Sequence, residues 1–272
     1  MFKVNKINTF IRIPKILINV IKPNFGYIPD EPSDKDFLFS TTAMAGTSPL
    51  NDISLRGFFK EISDQATLGS CVANAVADAL EAQTAQRLNL PPTQISNLSR
   101  LFIYWNARNL ETPPSTGVDH GTKIRLAMDS VRIHGVPTEA VYPYDTSKVY
   151  LKPGWLVYKA AIQNKLNKFY RIDATGDARI TQIRQALSAG NPVVFGTQIA
   201  ESFRHVNDDT VIQLPTDKYI GGHAMVLTGW NNAKQAFNLR NSWGNWANAG
   251  YGYISPNYIK ADITRDIWVM TV

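Results

Sequence analysis

The stretch Gln65-Ala-Thr-Leu-Gly-Ser-Cys-Val-Ala-Asn-Ala-Val-Ala-Asp-Ala-Leu-Glu-Ala-Gln83 passes from a short polar segment into a strongly helical pattern. Alanine dominates this pattern, and alanine favours the helix more than any other residue. Apolar residues recur on one face at helical spacing, at Val72, Ala75, Val76, Ala79 and Leu80. The stretch therefore predicts a helix that begins at Cys71.

Cys71 is the only cysteine among 272 residues. This count excludes an intrachain disulfide and a zinc site built from several cysteines. A lone cysteine is a buried apolar residue, an incidental surface thiol or a nucleophile. The predicted helix start favours the nucleophile, because the helix dipole places about half a positive charge there and lowers the pKa of a thiol. Gly69 and Ser70 leave room for a substrate carbonyl, and the Gln65 amide is placed to donate to an oxyanion beside the Cys71 N–H.

A nucleophilic cysteine needs a base, and His223 is the best of four histidines. It follows Gly221-Gly222 at the start of a predicted strand, and the two glycines leave space around the imidazole. A histidine at a strand start with no chemical role is the alternative. Asn241 lies in the next predicted strand, and its amide can accept a hydrogen bond from the imidazole and select the tautomer. Trp243 follows two residues later and is placed to shield that bond from water.

Four pieces in this order resemble the papain family of cysteine peptidases: Gln65, Cys71, the run Gly221-Gly-His-Ala224 and the run Asn241-Ser-Trp-Gly244. The resemblance covers about residues 55 to 272. It implies that Cys71 is the nucleophile, His223 the general acid and base, and Asn241 the residue that orients the imidazole. It also implies that Gln65 and the Cys71 N–H form the oxyanion hole.

The resemblance suggests which residues would line the site. Trp243 would cover the bond between Asn241 and His223. Gly121, in the run Asp119-His-Gly-Thr122, resembles the glycine-containing wall that pairs with the substrate backbone in this family. Gly69, Ser70 and Gly222 are the other candidates for lining the site. We expect no metal and no cofactor.

The sequence departs from the family pattern at several places. Val72 stands where an aromatic residue is expected, and Leu68 replaces a cysteine that is disulfide-bonded in secreted relatives. The first 50 or so residues are too short for a long helical inhibitory pro-segment, so any latency must arise differently. Residues 145–170 do not match the core pattern and are expected to be an insertion.

Periodicity along the chain predicts an α+β protein with two lobes and the site in the cleft between them. Residues 1–50 are expected to form an extended arm, followed by a papain-like domain over 51–272. Its helical lobe would cover about 65–175, and its lobe of antiparallel, barrel-like strands about 176–272. The other predicted helices are Ser99–Asn109, Thr122–His134 and Asp177–Ala189. The predicted strands are Val193–Ile199, Ala224–Trp230, Phe237–Asn241, Tyr251–Ser255 and Ile267–Thr271.

Composition and charge limit the classes of partner that this chain is expected to bind. Hydrophobic residues make up 44% of the chain and charged residues 18%, which excludes a disordered protein. The net charge is +6, but the basic residues are scattered and do not indicate a nucleic-acid partner. The basic, apolar arm 1–22 is a candidate for docking on a partner or a membrane surface. Without a clear signal peptide or disulfides, the cytoplasm or another reducing compartment is expected, with leaderless export or packaging in a particle left open.

Three functions are consistent with these residues. The first is hydrolysis of peptide or isopeptide bonds through a thioester, with Cys71 and His223 as a thiolate–imidazolium pair. The second is a catalytically silent binding or structural component of a particle such as a phage virion or secretion apparatus. The third is transfer of the acyl group from the thioester to an amine.

Overall fold

A computed structural model describes residues 24–42 and 51–272 of the chain. The helices are α1 (Cys71–Leu88), α2 (Arg100–Asn109), α3 (Ile124–His134), α4 (Trp155–Ala161), α5 (Gly176–Ser188) and α6 (Pro256–Lys260). The strands are β1 (Ile53–Ser54), β2 (Lys168–Ile172), β3 (Val193–Ala200), β4 (Val211–Ile212), β5 (Tyr219–Asn231), β6 (Ala236–Arg240), β7 (Tyr251–Ile254) and β8 (Thr264–Thr271). Residues 1–23 and 43–50 lie outside the described part, and with them the proposed docking arm 1–22.

The strands form one eight-stranded sheet in the order β2-β8-β3-β5-β6-β7-β4, with β1 paired to β5. All pairs are antiparallel except β4 with β7. Helices α2 and α3 pack on α1, whereas α5 and α6 pack against the sheet. The predicted α+β class is therefore confirmed.

Most predicted elements are present, with ends shifted by a few residues. The main difference lies at 145–170, which contains α4 and the start of β2. Strand β2 pairs with β8, so the sheet already begins in residues that the sequence assigned to the helical lobe. β2 has only five residues, and its sequence Lys-Phe-Tyr-Arg-Ile does not alternate strictly between polar and apolar, so it is hard to distinguish from a loop.

Helix α1 is the centre of the molecule rather than a helix with one buried face. Every residue from Cys71 to Gln83 is buried, including Asn74, Asp78 and Glu81. The helix contacts α2 and α3 on one side and β3, β5 and β8 on the other. A helix that packs on all sides is enclosed by other elements, so the site at its first residue lies deep between the two lobes.

The buried charges of α1 are paired across the lobes. The Arg240 guanidinium of β6 donates to Asp78 at 2.7 Å, and Arg100 of α2 donates to Asp78 at 2.8 Å. Burial alone would raise the pKa of Asp78, but the two arginines outweigh it and lower that pKa. Arg240 also donates to the backbone carbonyls of Lys60 and Glu61.

Replacing Arg240 with methionine is expected to lower the free energy of unfolding by about 3–5 kcal/mol, because it leaves the carboxylate of Asp78 buried with one partner fewer. Denaturant unfolding measures the loss. Arg132→Met is the matched control, since Arg132 pairs with Asp129 at the surface and should change stability by less than about 1 kcal/mol. Equal effects of the two substitutions would contradict the prediction.

The described residues include no helix of the length and apolar content needed to cross a membrane.

Candidate active site

Cys71 is the first residue of α1 and is completely buried. The nearby backbone N–H groups of Ala224, Gly26, Val72 and Cys71 itself act to lower the pKa of the thiol, which therefore lies beside β5 directly after His223. Burial nevertheless raises the pKa of Cys71 to about 11. The sequence predicted a lowered pKa from the helix dipole, but here the desolvation of the thiolate outweighs the dipole and the N–H donors.

His223 and Asn241 form a hydrogen-bonded pair in which the tautomer can be assigned. Asn241 Oδ1 accepts from the Ser242 backbone N–H at 2.8 Å, which identifies that atom as the oxygen. His223 Nε2 lies 2.7 Å from the same Oδ1 and must therefore carry the proton. His223 Nδ1 is left with a free lone pair, and it is buried without a hydrogen-bond partner among the described residues.

Trp243 covers this pair. Its ring lies 4.6 Å from the imidazole of His223, centroid to centroid, at an angle of 30°. Phe203 packs edge-on against both rings. Burial lowers the pKa of His223 to about 4, although the hydrogen bond that His223 donates to Asn241 acts in the opposite direction. In this conformation burial therefore favours the neutral thiol and the neutral imidazole over the thiolate–imidazolium pair.

Gln65 is held by four hydrogen bonds beside these residues. Its Oε1 accepts from the Ser242 hydroxyl at 2.8 Å and from the Trp243 indole N–H at 3.2 Å. These two contacts fix the orientation of the amide, so that Nε2 points away from Ser242 and Trp243. Nε2 donates to the Leu68 carbonyl at 2.9 Å and to the Asn24 carbonyl at 3.0 Å. The proposed oxyanion donor therefore already binds a carbonyl oxygen of the chain itself.

The other predicted lining residues form the walls around the thiol. The Gly69 N–H donates to Asp119 at 3.0 Å, and the Ser70 hydroxyl lies 2.5 Å from the Tyr144 hydroxyl. Gly121 has a φ of +97°, and its N–H donates to the Tyr104 hydroxyl at 3.1 Å. These bonds hold the glycine walls rigidly in place.

Residues 24–30, which we call the cleft segment, run between these walls and cover the site. The Thr122 N–H of the helical lobe donates to the Gly26 carbonyl at 2.8 Å, and the Ile28 N–H donates to the Thr122 carbonyl at 3.1 Å. On the other side, the Tyr27 N–H donates to the Gly222 carbonyl at 3.1 Å. The segment is therefore bonded to both lobes, across the cleft between them.

Gly26 fits this place because it has no side chain. A Cβ atom on Gly26 would lie 1.7 Å from the carbonyl oxygen of Gly69, which is far inside van der Waals contact. A Cβ on Gly121 would lie 2.2 Å from the Gly26 carbonyl oxygen. The backbone of the cleft segment and the two walls approach each other as closely as glycine allows.

Side chains anchor the cleft segment at both ends. The Phe25 ring lies 6.5 Å from Trp243, and the Arg204 guanidinium lies 4.9 Å from the Phe25 ring. The buried Tyr27 hydroxyl donates to Asp266 at 2.6 Å. Asp30 is also buried, and its backbone N–H donates to Asp266 while its carboxylate accepts from the Trp268 indole at 3.0 Å.

The sequence thus identified residues that the structure brings together: Cys71, His223, Asn241, Gln65, Gly69, Ser70, Gly121, Gly222 and Trp243. It did not assign a place over the thiol to the cleft segment, nor a structural role to Tyr144, Asp119 and Asp266, which hold the walls and the segment. A glycine between two aromatic residues, in Phe25-Gly-Tyr27, was the one local signal of a close backbone approach. In the described part of the chain, no group of three or more His, Cys, Asp or Glu side chains is arranged to hold a metal ion.

Comparisons with known proteins agree with this geometry. The model of the papain family of cysteine proteases matches residues 51–270. An uncharacterized peptidase C1-like protein of Acanthamoeba polyphaga mimivirus is 35% identical over 93% of this chain and 88% of its own length. The crystal structure of xylellain, a cysteine protease from Xylella fastidiosa, has a TM-score of 0.79 and 28% identity, over 92% of this chain and 97% of xylellain. The procathepsin B S9 of Trypanosoma congolense shares the fold at a TM-score of 0.70 and 14% identity, over 91% and 86% of the two chains. The chain belongs to the papain family of cysteine proteases and is a cysteine peptidase.

Proposed function

We propose that the chain hydrolyses peptide bonds with Cys71 as nucleophile, His223 as general acid and base, and Asn241 as the orienting residue. The observation that carries the proposal is the assigned tautomer of His223. With the proton on Nε2 held by Asn241, the lone pair of Nδ1 is free to accept the thiol proton.

The reaction would proceed in two halves. The sulfur of Cys71 attacks the substrate carbonyl carbon as its proton moves to His223 Nδ1. Gln65 Nε2 and the Cys71 N–H donate to the oxyanion. The C–N bond then breaks, the imidazolium gives its proton to the leaving amine, and a thioester remains. In the second half, His223 takes a proton from water as the hydroxide attacks the thioester carbonyl. The C–S bond then breaks, the acid leaves, and the imidazolium returns its proton to the sulfur of Cys71.

The cleft segment must move before a substrate can bind, because the Asn24 carbonyl occupies Gln65 Nε2 and the thiol is fully covered. The structure thus represents a closed form. When the segment leaves, water reaches both groups. The burial that raises the pKa of Cys71 and lowers that of His223 is then relieved, and the helix dipole can favour the thiolate–imidazolium pair.

Active-site titration with an electrophilic peptide tests the proposal. One thiol per chain should be labelled, and Cys71→Ala should abolish both labelling and turnover, since the chain has no other cysteine. Persistent turnover in this variant would exclude Cys71 as the nucleophile. Labelling without turnover of any peptide in a broad library would favour the silent alternative. Peptide products that carry an added amine in place of water would indicate acyl transfer.

The closed form is expected to loosen as the pH rises from about 4 to about 7. Burial, followed by the negative charge of Asp266, raises the pKa of Asp30 to about 7, although Arg125 and the Trp268 indole act in the opposite direction. In the released segment Asp30 regains its ordinary pKa of 3.8. The closed form therefore binds the proton of Asp30 more tightly than the open form does. The resulting stabilisation of the closed form is fully present below the ordinary pKa and is lost as the pH rises through about 7.

To measure the open fraction, we would divide the labelling rate of the wild type at each pH by the labelling rate of a variant held in the open form. Ionisation of the thiol affects both rates equally and therefore cancels in this ratio. We expect this ratio to increase with pH. In the Asp30→Asn variant this position has no titratable group, so the ratio of labelling rates should stay constant across the same pH range. A wild-type ratio that falls with pH would contradict the assignment.

A further inference from the structure

Large apolar side chains cluster on the surface around α4. Trp155 is 71% exposed, Leu156 62% and Ile162 57%. Tyr150 and Leu151, in the turn just before the helix, are also exposed by more than half. We call these five residues the Trp155 face. A concentration of exposed apolar residues within 13 positions is unusual for a protein surface and marks an interaction site.

The cluster has helical order. Trp155 and Lys159 lie one turn apart on α4, Leu156 is adjacent to Trp155, and Ile162 directly follows the last residue of the helix; all four are exposed. The opposite side of the helix is already filled, because Ala161 is buried against Gly135. The apolar side chains of the Trp155 face therefore point away from the core that the same helix contacts.

The Trp155 face is held on a firm base. The Tyr158 ring packs edge-on against Phe102 with centroids 5.0 Å apart, and its hydroxyl donates to Asn106 at 2.7 Å. Arg108 of α2 donates to the Val149 carbonyl at 2.5 Å, which holds the turn before α4. The exposed apolar residues are thus presented by an anchored element and not by a loose loop.

The charges around this face are mostly positive. Lys148, Lys152, Lys159 and Lys165 surround the apolar residues in sequence, and residues 146–172 contain no Asp or Glu. The neighbouring Asp145 pairs with Lys148 at 3.1 Å. Lysine side chains on apolar surfaces extend their charged ends outward while their stems stay on the apolar layer.

We propose that the Trp155 face docks on an anionic lipid surface. Trp and Tyr favour the interface between headgroups and acyl chains, Leu and Ile insert just below it, and lysines bind the acidic headgroups. A protein partner fits this composition less well, because protein interfaces are depleted in lysine and enriched in arginine. This proposal goes beyond peptidase activity, and it concerns residues that none of the described contacts of the cleft segment involve.

Co-sedimentation of the full-length chain with lipid vesicles tests the proposal. The chain should bind vesicles of phosphatidylcholine mixed with phosphatidylserine, and bind phosphatidylcholine alone far more weakly. The double substitution W155S/L156S should lower the affinity about tenfold or more, and so should K152E/K159E. The matched controls are L88S/L214S and K35E/K218E, which change exposed residues of the same types elsewhere and should retain binding.

Cleavage of a soluble peptide should be equal in all five proteins, which shows that the variants fold. No binding of the wild type to the anionic vesicles would overturn the proposal. Binding that W155S/L156S leaves unchanged would also overturn it and would place the lipid contact elsewhere, for example in the basic arm 1–22. Capture of an acidic protein with no binding to lipid would show that the face recognises protein instead.

Discussion

Replacing Gly26 with valine is expected to raise the rate at which an electrophilic peptide labels Cys71 by about 10²-fold. The valine Cβ would lie 1.7 Å from the Gly69 carbonyl oxygen, and a backbone atom of a buried wall cannot move aside easily. Overpacking of this kind costs about 3 kcal/mol or more, which corresponds to about 10²-fold in the population of the open form. The apparent rate should rise by the same factor, since only the open form reacts.

The matched control is Gly117→Val, because no atom lies within 4 Å of a Cβ placed there. Its labelling rate should equal that of the wild type. Tyr27→Phe is a milder version of the same test, because it removes only the hydrogen bond to Asp266 and should give a smaller increase. If Gly26→Val unfolds normally in a thermal scan but reacts at the wild-type rate, then the cleft segment does not control access to the thiol.

Gln65→Glu is expected to lower kcat by about 10²–10³-fold, the usual loss when one oxyanion donor is removed. The glutamate has nearly the same shape and can still accept from the Ser242 hydroxyl and the Trp243 indole. It cannot donate through the atom that replaces Nε2. The substitution should therefore impair the transition state and leave the surrounding packing intact.

The effect of Gln65→Glu on kcat is best measured in the Gly26→Val background, because there the Asn24 carbonyl no longer competes with the substrate for Gln65 Nε2. Steady-state cleavage of a peptide gives kcat, and the thermal midpoint confirms that the variant folds. Gln213→Glu introduces the same charge at an exposed position and should leave kcat unchanged. A wild-type kcat in Gln65→Glu would remove Gln65 from the oxyanion hole.

The helix start, the strand that carries His223 and the turn after Asn241 were predictable because each depends on a few neighbouring residues. The cleft segment was not, because its position depends on hydrogen bonds between residues 26–28 and residues 122, 222 and 266, which are far away in sequence. The predicted direction of the Cys71 pKa was wrong for the same reason. A helix dipole can be inferred from local sequence, whereas the complete burial that outweighs it depends on packing by parts of the chain that are distant in sequence.

The lone thiol has a consequence for chemical durability. Peroxide oxidises a thiolate to a sulfenic acid, and further oxidation is irreversible unless a second cysteine traps that first product as a disulfide. This chain has no second cysteine to do so. While residues 24–30 lie over Cys71, its sulfur stays protonated and inaccessible to dissolved oxidants. The covering segment therefore also acts as a chemical guard, and the opened protein should be the one that peroxide inactivates.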